Sequence, residues 1–295
     1  VKRYIDMLEY MRPESSESQK AFCDRFLKPD FGKPDGFGNY VKIIGESRIV
    51  FAAHHDTVHR KGGKQIVEIA GDLARLPAGE SANCLGADCT SGIWLILEMI
   101  DAEIPGIYVI HSAEEIGCQG SRGLVDSKPS WLKNVDSVMS FDRRGYDSIV
   151  THQMGLRTCS DKFAESLSTV LGLGMIPDDT GVYTDSNEYA GVVPECTNIS
   201  VGYFKQHTKD ETQDLPFLMM LRDSLLNADF DNLTIARDPY EYDYEYEYEY
   251  EYEYEYGGLE SVISENVCDV ADILRDFGYD ADRLLMELRG VRRAA

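Results

Sequence analysis

No stretch of the sequence approaches the roughly 20 successive apolar residues that cross a bilayer, and the opening residues Val1 to Asp6 hold no apolar signal core. These absences lead us to expect a soluble, unexported protein with no membrane partner. Basic residues are also scarce, 29 Lys and Arg against 52 Asp and Glu, for a net charge of −23. A field of that sign repels phosphate backbones and anionic lipid, so nucleic acid is not an expected partner. Cys-x-x-Cys pairs are missing: the seven cysteines are scattered and odd in number. That excludes a disulfide framework and a zinc knuckle and suits a reducing, cytoplasmic setting. What remains is ordinary for a globular chain, 295 residues with 43% hydrophobic and 27% charged, enough for a substantial core.

Up to about residue 237 short β-rich runs alternate with helical stretches, the pattern of an α/β layer fold. Strands are expected over Arg48 to Ala53, Ile107 to His111, Ser137 to Phe141 and Asn198 to Gly202. Helices are expected over Ser16 to Leu27, Ser91 to Ala102, Asp161 to Leu171 and Leu215 to Ala228, with Pro216 at a helix start. Thr208 and Glu211 have the spacing of a capping box. Residues 240 to 256 then alternate Tyr with Glu or Asp, and the eight acids in 241 to 255 account for much of the charge, leaving −15 elsewhere. This low-complexity tract reads first as a solvated linker and second as a partner-binding segment. Apolar stripes after Gly258 point to a small helical hairpin. Three regions follow: 1–238, a catalytic domain; 239–258, an acidic Tyr/Glu linker; 259–295, a helical tail open to a protein partner or self-association.

Several expected strand ends run into residues suited to metal chemistry. His54-His55-Asp56 pairs a candidate ligand, His54, with a carboxylate able to hold its other ring nitrogen. Asp88, in Gly86-Ala87-Asp88-Cys89, is a ligand candidate or a helix cap. Glu114 and Glu115 are successive carboxylates after a strand, so one can bind metal while the other acts as a base. Asp142 directly follows a strand, and His207 lies in a loop after the last one. In open α/β sheets such residues meet beyond the carboxyl ends of the strands. Each alone has a plain reading, as a polar turn, cap or solvated loop; the ordered set does not.

With that order the chain resembles the co-catalytic dizinc exopeptidases, the clan that includes bacterial leucyl aminopeptidase, glutamate carboxypeptidase and the aminoacylases. The resemblance covers roughly 13 to 230, including the turn Asp35-Gly36-Phe37-Gly38-Asn39, and implies a mixed β-sheet flanked by helices. It implies two Zn²⁺ ions, other divalent transition metals being alternatives: one held by His54 and Asp142, the other by Glu115 and His207, with Asp88 bridging. Glu114 is implied as general base and acid, Asp56 as the partner of His54. Such an ion pair shares a hydroxide that attacks the scissile carbonyl. Only 64 residues separate Asp142 from His207, and 33 separate His54 from Asp88. Neither gap has room for the domains that other branches insert, so the single-domain aminopeptidase branch is most similar. Cys89 departs from the polar or acidic residue often found after the bridging aspartate.

The expected activity is removal of N-terminal residues from short peptides or small amides. Carboxypeptidase, dipeptidase or amide deacylase chemistry is the alternative, for which Arg143 and Arg144 could bind a substrate carboxylate, although surface ion pairing is the plainer reading. His152 is expected to be structural and Asp185 to cap a turn rather than meet a substrate amine. A non-catalytic protein working through its tail is the reading from another class, and Glu114 argues against it.

Overall fold

The computed structural model describes residues 1–240 together with Val270, Leu274 and Arg275, which are helical. The chain divides into two units, 1–241 and 242–295, and the first is described below. The expected Tyr/Glu tract and tail hairpin fall almost wholly outside the described residues.

In chain order the principal strands are β1 (Tyr40–Ile44), β2 (Ile49–His54), β3 (Glu68–Ala70), β4 (Leu73–Arg75), β5 (Gly106–His111), β6 (Ser137–Arg143), β7 (Ser148–Val150), β8 (Ile176–Asp178), β9 (Glu195–Ser200), β10 (Tyr203–Phe204) and β11 (Thr212–Asp214). The main helices are α1 (Lys2–Leu8), α2 (Glu17–Phe22), α3 (Ala87–Asp101), α4 (Gln119–Asp126), α5 (Asp161–Leu171), α6 (Asp185–Glu188) and α7 (Leu215–Asn227). Seven strands form one mixed sheet in the order β8-β7-β9-β6-β2-β5-β1. Its centre, β9-β6-β2-β5, is parallel, while β1 and the β7–β9 pairing are antiparallel. A smaller sheet, β10-β11-β4-β3, takes up the segments on either side of the site.

The central strands are buried on both faces, and their side chains alternate between two cores as a period of two requires. Phe51, Ala53, Tyr108, Ile110, Met139 and Phe141 join the larger core, whereas Val50, Ala52, Ile107, Val109 and Val138 join the smaller one on the other face. Helix α3 is apolar nearly all round and is buried from Ala87 to Leu97, as expected of a helix packed between layers. Gly92 permits its close approach: a Cβ there would stand 2.4 Å from the Phe141 carbonyl oxygen and 3.0 Å from Ala53 Cβ.

The expected helices are present, with local differences. The run over Ser16 to Leu27 is α2, capped by the Ser16 side chain, then a π turn over Cys23–Leu27 and an α turn over Lys28–Phe31. Pro29 has no N–H for the carbonyl four residues back, and the wide turn lies directly before it. Asp88 and Cys89 have non-helical backbone angles, so α3 becomes regular only after them. Pro216 sits in the first turn of α7, behind the Asp214 cap. Among the described residues no helix is long and apolar enough to cross a membrane.

Candidate metal centre

Because β2, β5 and β6 are parallel neighbours, their carboxyl ends open on one edge of the sheet. His54 is the last residue of β2 and Asp142 the penultimate residue of β6; Glu114 and Glu115 follow β5 in a turn. Asp88 opens α3, with a cis peptide to Cys89, and His207 follows β10 in a loop, at φ +63°.

These residues meet. Asp88 lies between the two imidazoles, Oδ1 at 3.1 Å from His54 Nε2 and Oδ2 at 3.1 Å from His207 Nε2. His54 Nε2 is also 3.5 Å from Asp142 Oδ1 and 3.9 Å from Glu114 Oε2, and His207 Nε2 is 3.3 Å from Glu115 Oε2. Each half of the cluster thus has one imidazole and one carboxylate, with Asp88 common to both.

The shells around these groups hold them in place. The Asp56 carboxylate accepts the backbone N–H groups of both Glu114 and Glu115, each at 3.1 Å, which orients the two-glutamate turn. The nearer partner of His54 Nδ1 is the Asp56 carbonyl oxygen at 3.1 Å, with the carboxylate at 3.5 Å. Asp56 therefore fixes the ring through its backbone as much as through its side chain. Asp142 accepts hydroxyl hydrogen bonds from Thr184 at 2.9 Å and Tyr203 at 3.3 Å.

Burying this many acids perturbs their acidity. Burial pushes Glu114 well above the usual carboxylate range, with Asp142 and Glu115 adding to the shift and His54 opposing it. Burial and the charge of Asp88 bring Asp142 up to about 6. Asp88 is held low despite its burial by hydrogen bonds from His207 and His54. Both imidazoles are pushed well above their ordinary value against their own burial, His54 by acid groups including Asp142 and His207 by Glu115 and Asp88.

Such a set suits divalent cations: N and O donors, anionic in excess, facing one another across short gaps. Three groups, His54/Cys89/Asp142, His54/Glu114/Glu115 and Asp88/Glu115/His207, each bring their donor atoms within 4.8 Å of one another. Glu115 Oε1 is buried without a hydrogen-bond partner, a cost that a cation removes.

Residues 39–171 match peptidase family M28, a span that takes in His54, Asp88, Glu114, Glu115 and Asp142 and ends before His207. The chain is a metallopeptidase-type hydrolase, similar over residues 39–171 to peptidase family M28. Its fold is similar to that of aminopeptidase PepT from Bacillus cereus (14% identity, TM-score 0.62, covering 77% of this chain and 96% of that one). A tripeptidase from Staphylococcus aureus is comparably similar (14%, TM-score 0.63, 77% and 95%). So is the TET1 peptidase of Pyrococcus horikoshii, which can assemble into a tetrahedron or a large octahedral shell (16%, TM-score 0.58, 77% and 100%). No curated protein matches the chain.

The remaining candidates of this metallopeptidase fare differently. Arg143 pairs with Asp178 at 2.9 Å and with Thr180, in keeping with the ion-pair reading. His152 is buried, with Nδ1 at 3.0 Å from the Thr151 hydroxyl. Asp185 is not the cap of α6: that position is Thr184, and Asp185 turns inward toward Ser121, buried, with Oδ1 unpartnered and its pKa pushed up to about 8 by burial. The capping box is also absent, since the Glu211 side chain reaches across the fold to backbone N–H groups at the start of α3, from Leu85 to Asp88, instead. Tyr203 and Thr184 escaped sequence reasoning because a lone hydroxyl carries no spacing signal.

Proposed function

We propose that the protein is an aminopeptidase-type exopeptidase that binds two Zn²⁺ ions and removes N-terminal residues from short peptides. The observation that carries this reading is the position of Asp88, one carboxylate oxygen at 3.1 Å from each of two imidazoles. On this reading His54 and Asp142 hold one ion, Glu115 and His207 the other, and Asp88 spans both. When bound, the ions supply Lewis acidity, polarising the scissile carbonyl and acidifying water. The chain's own residues do the rest. Glu114, 3.9 Å from His54 Nε2 and partly buried, takes the proton of the attacking water on its carboxylate and returns it to the departing amine nitrogen. Asp56 keeps Glu114 and Glu115 in register through their N–H groups. The six cysteines among the described residues are all free thiols, which supports a reducing, cytoplasmic setting.

The test is metal analysis of the purified full chain, with hydrolysis of aminoacyl anilides, N-acetylated peptides and peptide amides by wild type and Glu114→Gln. Two zinc equivalents are expected. Free N-termini should be cleaved and blocked ones spared, and the variant should retain metal while losing about 10²–10⁴ in turnover. A wild type that binds no metal, or cleaves blocked and free substrates alike, overturns the reading.

A further inference from the structure

Glu211 is fully buried and is not itself one of the candidate ligands, yet its carboxylate accepts four hydrogen bonds from the segment that carries Asp88. Its Oε2 accepts the N–H groups of Leu85 at 2.8 Å and Gly86 at 2.9 Å; its Oε1 accepts those of Ala87 at 2.8 Å and Asp88 at 3.2 Å. Gly86 offers no side chain to cap α3, so this remote carboxylate satisfies the N–H groups that the helix start leaves open. Helix capping alone does not explain where the carboxylate comes from. Glu211 closes the turn that directly follows His207: its own N–H donates to the Thr208 carbonyl at 3.1 Å, and the Thr208 hydroxyl donates back across His207 to the Lys205 carbonyl at 2.7 Å. Directly after it, β11 is anchored against β10 and β4. Two ligand candidates 119 positions apart, Asp88 and His207, are thereby carried on segments joined by one side chain.

We propose that Glu211 is a positioning residue that clamps the Asp88 segment to the His207 turn and so presets the spacing of the two ligands before any ion binds. The inference rests on the dizinc reading above. Outer partners of metal ligands typically change metal affinity by 10–100-fold when removed. A carboxamide at 211 keeps the shape but has only one acceptor oxygen for four N–H groups, so the clamp is halved without a change of volume.

The experiment is titration of the metal-free full chain with ZnCl₂, wild type against Glu211→Gln, with circular dichroism and melting temperature recorded for both metal-free forms. At least one of the two zinc equivalents should weaken tenfold or more in the variant. A lower melting temperature with both zinc affinities within twofold of wild type would mean a purely structural cap and overturn the proposal. A wild type that binds no zinc would instead defeat the functional reading. Hydrogen exchange on metal-free wild type decides the matter if the variant does not fold: the amides of residues 85–88 should be as protected as those of β2, and rapid exchange there would refute a preset clamp.

Discussion

Replacing Gly92 with alanine sets two effects of opposite sign against each other. In a helix interior alanine is favoured over glycine by about 0.8–1 kcal/mol, so propensity alone predicts a more stable protein. The added Cβ, however, would lie 2.4 Å from the Phe141 carbonyl oxygen and 2.7 Å from Cys89 Sγ, where real Cβ contacts stay beyond 3.0 Å. Relief requires a shift of about 0.6 Å, and the first atom is strand backbone, which has no rotamer to move into. Overpacking of this kind costs about 1–3 kcal/mol, so a net loss is expected, lowering the melting temperature by several degrees for a unit of this size. The shift also reaches the centre. Gly92 lies one turn from Asp88, and Phe141 precedes Asp142, so separating α3 from β6 moves two of the candidate ligands, and metal–ligand distances tolerate only about 0.2 Å. Melting curves of metal-free and zinc-loaded Gly92→Ala, with zinc affinity and turnover, read both consequences. Expected are a lower metal-free melting temperature and at least a tenfold loss of zinc affinity. A variant as stable as wild type or more so, with unchanged metal binding, would show that α3 does not need this close approach.

His59 is buried neutral, its Nδ1 at 2.7 Å from the Thr57 hydroxyl and its Nε2 at 3.0 Å from the Cys84 carbonyl, and burial lowers it to about 4. A folded-state value below the ordinary 6.5 means that the neutral form is favoured by folding. Its contribution is complete above about pH 6.5 and is lost as pH falls toward 4, by up to about 3 kcal/mol. Urea unfolding of His59→Gln should show a shallower loss over that window than wild type, and parallel curves would count against the assignment. Tyr203→Phe removes the hydroxyl that reaches Asp142 Oδ1 at 3.3 Å and its carbonyl at 2.9 Å. It should cost about 1 kcal/mol in stability and weaken one zinc equivalent about tenfold; wild-type zinc affinity in calorimetry would dismiss Tyr203 as a partner of the site.

The layer fold was legible because its signals are local. Short runs rich in Ile, Val, Phe or Tyr that end in polar residues mark β2, β5 and β6, whereas the strand expected over Asn198 to Gly202 lies at Glu195–Ser200; Asp161–Leu171 carries its own cap and amphipathic stripe, so α5 falls where the pattern puts it. His54, Asp88, Glu114, Glu115, Asp142 and His207 could be singled out for the same reason, since a ligand-type side chain just after a buried strand is visible one segment at a time. Where spacing misled, a distant partner had outcompeted a near one. Glu211 has the interval of a capping box, yet four N–H groups left open at the start of α3 offer its carboxylate more than a single local amide can. Asp185 likewise stands where a cap is plausible, and packing turns it inward. The pairing of Asp88 with both imidazoles, the approach of α3 over Gly92 and the hydroxyls of Thr184 and Tyr203 on Asp142 came only from the tertiary structure. Residue type and periodicity say which groups face inward; which of them touch depends on strand order and close packing between segments far apart in the chain.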